Sequence, residues 1–317
     1  MYELATSTHL KYDKTGKVPF LKGVERIINA GFKNLDYNFL DMVDYPNRFL
    51  DDDYKDWMYE CREFVEAHGA KWVQAHSAVT GARKNFEKFM SMQKRSIECC
   101  SYLGIEWTVH HHIEDPEYSA HSSLSPMDFN LKMFDELLET AEKYKVGIAV
   151  ENSPSRFFAD STYEESTEDL VKLVDKLGSK YVGICWDVGH GNVHHVHKNA
   201  DNITHQSEQL KLIGNRLKAT HIQDNNASRA GKSAGLKVDD SEINTTVAFD
   251  EHIQPYMGTV DWMDVIKGLD AINYNHYFSF EVHNAINSLP DELTDSALVH
   301  LRRIGEYLVS KSTLTKE

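Results

Sequence analysis

VGIAVE (Val146 to Glu151), TEDLVKLVDKL (Thr167 to Leu177) and YVGICWD (Tyr181 to Asp187) follow one another along the chain. The first and third are short apolar runs of strand length, and the second spaces its leucines and valines as the buried face of a helix does. A strand, a helix and a second strand in that order make a βα unit, whose strands lie parallel in one sheet.

The same alternation extends in both directions. Apolar runs at Glu3 to Ser7, Asn34 to Phe39, Lys71 to His76 and Trp107 to His112 read as earlier strands, and Leu217 to Ile222 and Tyr277 to Val282 as later ones. Helical patterns fall at Leu21 to Ala30, Tyr54 to Ala67, Arg83 to Leu103, Met127 to Tyr144, Ile203 to Arg216, Trp262 to Ile272 and Glu292 to Val309. Gly31, Gly69 and Gly104 each follow a helical run where a helix-ending glycine belongs, and Ser125-Pro126 sets an N-cap before a first-turn proline. Eight strands, each with its helix, is the count of an α/β (β/α)8 TIM barrel. That fold usually takes about 250 residues, so the 317 here leave a surplus for loops. No repeat or linker-like boundary divides the chain, and residues 1–317 are expected to form a single domain. The largest surplus, residues 225–249, is polar and is expected as a long loop over the barrel mouth.

Composition narrows the function. A chain with 41% apolar residues can bury a large core and is not intrinsically disordered. A formal charge of −15 opposes contact with phosphate backbones and anionic lipid, so nucleic acid is not an expected partner. Cys61, Cys99, Cys100 and Cys185 show neither disulfide nor thiolate-metal spacing and suit a reducing compartment. With no leader-like start and no run long enough to span a membrane, a cytoplasmic location is expected.

The ends of the strands carry the chemistry. From the third strand onward nearly every one closes on a metal-ligand residue: His76, His110 to His112, Glu151, Asp187 with His190, His221 and Glu281. In a barrel the carboxyl ends of all strands converge on one mouth, so these residues become neighbours. Singly, each has an ordinary explanation: a capping carboxylate, or a histidine satisfied in the core. Together they point to a divalent metal site whose minimal set is Glu151, Asp187, His221 and Glu281; imidazole with carboxylate suits Zn²⁺, Mn²⁺, Fe²⁺ or Co²⁺ alike. Alternation puts His110 and His112 on one face of their strand and His111 on the other, which leaves open which of the three faces the mouth.

WDVGHGN (Trp186 to Asn192), HIQDN (His221 to Asn225), DEHIQPYMGTVDW (Asp250 to Trp262) and FEVH (Phe280 to His283), in this order, resemble the xylose isomerase-like TIM barrels. That family includes sugar phosphate isomerases and epimerases and the endonuclease IV enzymes. The resemblance implies that Glu151, Asp187, His221 and Glu281 bind one divalent metal, and that Glu151 and Glu281 also serve as an acid/base pair. It implies that His190 helps hold a sugar, and His76, His110 and His252 are expected around the same substrate. In the endonuclease branch, residues matching His76, His110, His190, Asp250 and His252 bind further metals. Two departures stand out: Pro255-Tyr-Met-Gly258 replaces a Pro-Gly-Glu-Gly common in relatives, and Glu251 replaces an arginine of the endonuclease branch.

The leading expectation is therefore an isomerase or epimerase of a keto sugar, sugar phosphate or related polyol, in a barrel that forms homo-oligomers in many relatives. The alternatives are a metal-dependent phosphodiesterase and a keto-polyol dehydratase. Arg229, Lys232 and Lys237 in the long loop offer a grip for one small phosphate. Among aromatic residues, Phe157, Phe158, Trp107, Trp186, Tyr256 and Trp262 are candidates to stack on a sugar ring, Trp186 being turned away from Asp187 by alternation.

Overall fold

The computed structural model describes residues 2–9, 19–39, 48–78, 85–113, 124–152, 166–192, 205–226 and 250–314. Its strands are β1 (Glu3–Ser7), β2 (Asn34–Asn38), β3 (Lys71–His76), β4 (Trp107–His111), β5 (Gly147–Glu151), β6 (Val182–Asp187), β7 (Leu217–His221) and β8 (Tyr277–Phe280). The helices between and after them are α1 (Phe20–Asn29), α2 (Tyr54–Ala67), α3 (Phe86–Leu103), α4 (Pro126–Tyr144), α5 (Thr167–Leu177), α6 (Gln206–Ile213), α7 (Trp262–Ala271), α8 (His283–Asn287) and α9 (Asp291–Val309). Of the run expected to be helical from Ile203 to Arg216, Gln206–Ile213 is α-helix and Gly214–Arg216 a tight 3-10 turn, while residues 203–204 lie outside the described residues. The short α8 has no counterpart in the sequence pattern. Most of the long loop, residues 227–249, lies outside the described residues, as do Phe157, Phe158, Arg229, Lys232 and Lys237.

The strands run parallel in the order β7-β6-β5-β4-β3-β2-β1-β8. The last gap closes where Ile222 donates to the Ser279 carbonyl at 2.7 Å and Glu281 donates to the Ile222 carbonyl at 3.1 Å. The sheet thus forms a nearly closed (β/α)8 barrel. Helix boundaries follow the local chemistry: the Ser125 hydroxyl accepts from the Asp128 N–H, Ser166 accepts from Asp169, and Gly104 and Gly178 end their helices in the left-handed region.

Two apolar compartments result. Ile148, Val150, Ile184 and Trp186 belong to the large core between sheet and helices. Val109, Ala149, Cys185 and Ala219 form a separate small cluster, against which Trp107 packs. Strand alternation makes this second group the barrel lumen. Gly147 leaves room for the Trp107 ring: a Cβ at Gly147 would fall 2.3 Å from it. All four cysteines are buried and unpaired. Among the described residues no helix is long and apolar enough to cross a membrane.

Candidate active site

The lumen cluster fixes what stands at the mouth. Two residues beyond Val109, Ala149, Cys185 and Ala219, on the same face of each strand, come His111, Glu151, Asp187 and His221. On β8 the same step leads from Ser279 to Glu281, and on β3 from Gln74 to His76. Glu151, Asp187, His221, Glu281 and His76 are buried.

Glu151 is the hub. One oxygen, Oε1, lies 2.5 Å from His221 Nδ1, while Oε2 lies 2.9 Å from His111 Nε2 and 3.5 Å from His76 Nε2. Glu281 Oε2 reaches His221 Nδ1 at 3.2 Å and His252 Nε2 at 3.4 Å. Asp187 accepts from the His190 N–H at 2.7 Å and from the Gln223 amide at 3.2 Å, and its own N–H donates to Asn152 Oδ1 at 2.6 Å. Asp250 meets His190 Nε2 and His252 Nδ1, each at 3.1 Å. His252 holds φ 46° in the left-handed region, a cost borne by few non-glycine residues outside functional loops.

Ligand atoms of Glu151, Asp187, His221 and Glu281 all lie within 4.8 Å of one another. By the same measure His76, His111 and Glu151 form a second group, and Asp187, His190 and His252 a third. Glu151 Oε2 is a buried atom without an aligned hydrogen bond, even though it sits close to two imidazoles. Buried polar atoms seldom stay unsatisfied, and a cation bound here would satisfy Oε2. Two carboxylates and an imidazole with a third carboxylate beside them are a donor set that fits a divalent ion.

The charges of the cluster are interlocked. Burial pushes the Glu151 carboxyl up, but His221, His111 and His76 pull it well below the usual carboxylate range. Burial, opposed by His190 and joined by Glu151, Asp250 and Glu281, lifts Asp187 to about 6. His190 is the reverse case: burial lowers it, while Asp187, Asp250 and Glu151 carry it up to about 10. Burial likewise lowers His252, and Asp250 with Glu281 overrides this and holds it well above its ordinary value. Perturbation this concentrated is the mark of a working site.

A family model, xylose isomerase-like TIM barrel, matches residues 26–304. The chain belongs to the xylose isomerase-like TIM barrel family. The uncharacterized protein MJ1311 of Methanocaldococcus jannaschii is 28% identical over 189 residues, covering 60% of this chain and 55% of that protein. The chain thus spans about half the length of this curated relative. Among solved structures, a D-tagatose 3-epimerase-like protein superposes with a TM-score of 0.69 at 19% identity, covering 97% of both chains. An IolI protein with a bound zinc atom does so at 0.67 and 17% identity, covering 99% of this chain and 100% of that one. At such identities the likeness shows the fold; the structural neighbours of that fold are sugar epimerases and IolI.

The structure brings together Glu151, Asp187, His221, Glu281, His76, His190, Asp250 and His252, but not His110. His110 turns outward to the helix layer, where Nδ1–H donates to Gln93 Oε1 at 2.6 Å. Burial, with His76 and His111 nearby, lowers it to about 3. His111 stands at the mouth in its place, because odd-numbered residues of β4 line the lumen. Glu251 does not face the mouth: its carboxylate accepts from the backbone N–H and side-chain amide of Asn226. Trp186 and Trp262 are buried and donate to Gln206 and Asp224, so neither offers a face to a sugar.

Sequence reasoning passed over Asn152 and Gln223. Asn152 receives and donates one bond each with the Asp187 backbone, and its carbonyl receives His190 Nδ1–H at 2.8 Å. Gln223 donates to Asp187 and Asp250 and accepts from the His252 N–H. Such outer groups orient ligands. Their only signal in the sequence is position, one and two residues past the candidate ligands Glu151 and His221.

Proposed function

We propose that this protein is a metal-dependent epimerase or isomerase of a keto sugar, sugar phosphate or related polyol, with Glu151 and Glu281 as the proton-transfer pair. The observation that carries the reading is that both carboxylates converge on one atom, His221 Nδ1, at 2.5 Å and 3.2 Å, from strands separated by two others. Glu151, Asp187, His221 and Glu281 would hold a divalent ion, which when bound would polarise a carbonyl and acidify the neighbouring C–H. The two glutamates approach a substrate at the barrel mouth from different strands, so one removes the proton and the other returns one on the opposite face, inverting the carbon. Transfer by a single glutamate gives the aldose–ketose isomer instead. His190, its Nδ1–H on the Asn152 carbonyl and its Nε2 on Asp250, lines the site with His76, His111 and His252. The names of the structural neighbours, among them a D-tagatose 3-epimerase-like protein and a 3-keto-D-glucoside 4-epimerase, support a sugar as substrate.

The test is epimer formation from a panel of ketoses and 3-keto glycosides by protein reconstituted with Mn²⁺, Co²⁺ or Zn²⁺. Product from the wild type, and none from Glu151→Gln or Glu281→Gln, is expected. Near-normal turnover in both variants refutes the assignment.

A second reading rests on the three ligand groups that share Glu151 and Asp187. Ions held by these groups would suit hydrolysis of a phosphodiester, for which they would supply activation of water and stabilisation of the leaving oxygen. The charge of −15 sets this reading behind the first for a nucleic-acid substrate. Elemental analysis separates them: one ion per chain fits the epimerase, two or three the hydrolase.

A further inference from the structure

One layer below the ligand set, the barrel lumen holds a carboxylate that neither proton transfer nor the four-ligand set uses. Asp36, in the middle of β2, has no exposure to solvent. Its register neighbours are Ser7 on β1 and Gln74 on β3. The Gln74 amide donates to Asp36 Oδ2 at 2.6 Å and the Ser279 hydroxyl to the same oxygen at 3.0 Å, while Oδ1 is buried without a partner. A carboxylate buried with half its acceptor capacity unfilled is expensive. Packing alone would be served by an amide or a hydroxyl.

A buried ring nitrogen without a partner lies close to this carboxylate. His221 presents Nδ1 to Glu151 and Glu281, and its other nitrogen, Nε2, is buried with no hydrogen bond. That nitrogen points down the lumen and lies 3.7 Å from Asp36 Oδ2. A shift of a few tenths of an ångström closes the gap to a hydrogen bond. A donor without a partner thus faces the Asp36 carboxylate, at the oxygen that Gln74 and Ser279 hold, across one layer of the barrel and directly beneath the ligand set.

We propose that Asp36 is the positioning residue for His221: it takes the Nε2–H and so presents the Nδ1 lone pair to the ion. The proposal rests on the four-ligand reading of Glu151, Asp187, His221 and Glu281. A histidine ligand that donates its second N–H to a carboxylate is fixed in ring orientation and tautomer and is a more basic ligand; loss of such a partner lowers metal affinity about 10–100-fold. Gln74 and Ser279 then act one step further out, holding the Asp36 carboxylate square to the ring.

The experiment compares wild type with Asp36→Asn, which keeps the shape and still accepts from Gln74 and Ser279. Co²⁺ is titrated into each and followed by calorimetry and by its visible spectrum. Expected is a Co²⁺ affinity about 10–100-fold weaker in the variant, with altered band positions and an unchanged melting temperature of the metal-free protein. Equal affinity and spectrum overturn the role of Asp36 and leave the ligand set standing. A wild type that takes up no Co²⁺ overturns both. A measurement on the wild type alone covers a variant that fails to fold: in Zn²⁺-loaded protein carrying ¹⁵N-histidine, the His221 ring is expected to show a protonated Nε2 and a metal-shifted Nδ1. Metal at Nε2 overturns the proposal.

Discussion

Replacing Gly189 by alanine tests how the ligand set is braced. The new methyl would sit 2.4 Å from Gln223 Cδ and 2.5 Å from its Oε1, closer than side-chain atoms approach. Gln223 must therefore swing away. It then gives up its donations to Asp187 at 3.2 Å and Asp250 at 2.9 Å and its acceptance from the His252 N–H at 3.0 Å. At about 0.5–1.5 kcal/mol net for each bond, the expected loss of stability is about 2–4 kcal/mol. Gln223→Ala loses the same three bonds, so Gly189→Ala added to it has nothing left to displace. The double variant should match Gln223→Ala alone, a coupling equal to the whole Gly189→Ala cost, about 2–4 kcal/mol, between two residues in contact. Urea unfolding of the metal-free proteins measures all four corners of the cycle. Additive costs would show that Gln223 is not what the missing side chain at Gly189 accommodates.

His110 and His111 should separate cleanly. His111→Ala is expected to lower the number or affinity of bound ions with little loss of stability, whereas His110→Ala should destabilise by about 1–3 kcal/mol by stranding Gln93 and leave metal uptake intact; calorimetry and urea melts read the two. His110 also sets a pH dependence. Burial, with His76 and His111 adding, lowers it to about 3 from an ordinary 6.5, so the unfolded chain takes up this proton first. Its contribution to stability is complete above about pH 6.5 and is lost as the pH falls towards 3; the fall in urea midpoint between pH 7 and pH 4 should be shallower in His110→Asn than in wild type. Finally, Glu151→Gln and Glu281→Gln should each lower turnover by about 10²–10⁴-fold with the circular-dichroism spectrum unchanged.

The fold was legible because each βα unit announces itself locally, with a short apolar run, an amphipathic run and a capping serine or glycine. The strand ends were legible because acids and histidines are rare at the close of apolar runs. What escaped was register and what lies beneath. Three histidines in a row, His110 to His112, look alike in sequence, and only the small lumen residue Val109 reveals that His111 faces the mouth. Asp36 sits in an unremarkable LDYN stretch, and its meaning depends on β8 closing against β1 to bring Ser279 to it. Gln223 and Asn152 act through bonds to residues of neighbouring strands, a relation carried by the closed sheet. The α8 turn follows Glu281 too briefly for its periodicity to register.

The central claim is removal of a proton beside a carbonyl by a glutamate of this site. Metal-reconstituted protein in deuterated water, given ketoses and followed by proton NMR, tests it most directly. The account predicts loss of the signal from one C–H next to the carbonyl, in step with appearance of the epimer or isomer, and no loss with Glu151→Gln or Glu281→Gln. Protein shown to hold its metal that exchanges no such proton in any ketose, yet cleaves a phosphodiester, would contradict it.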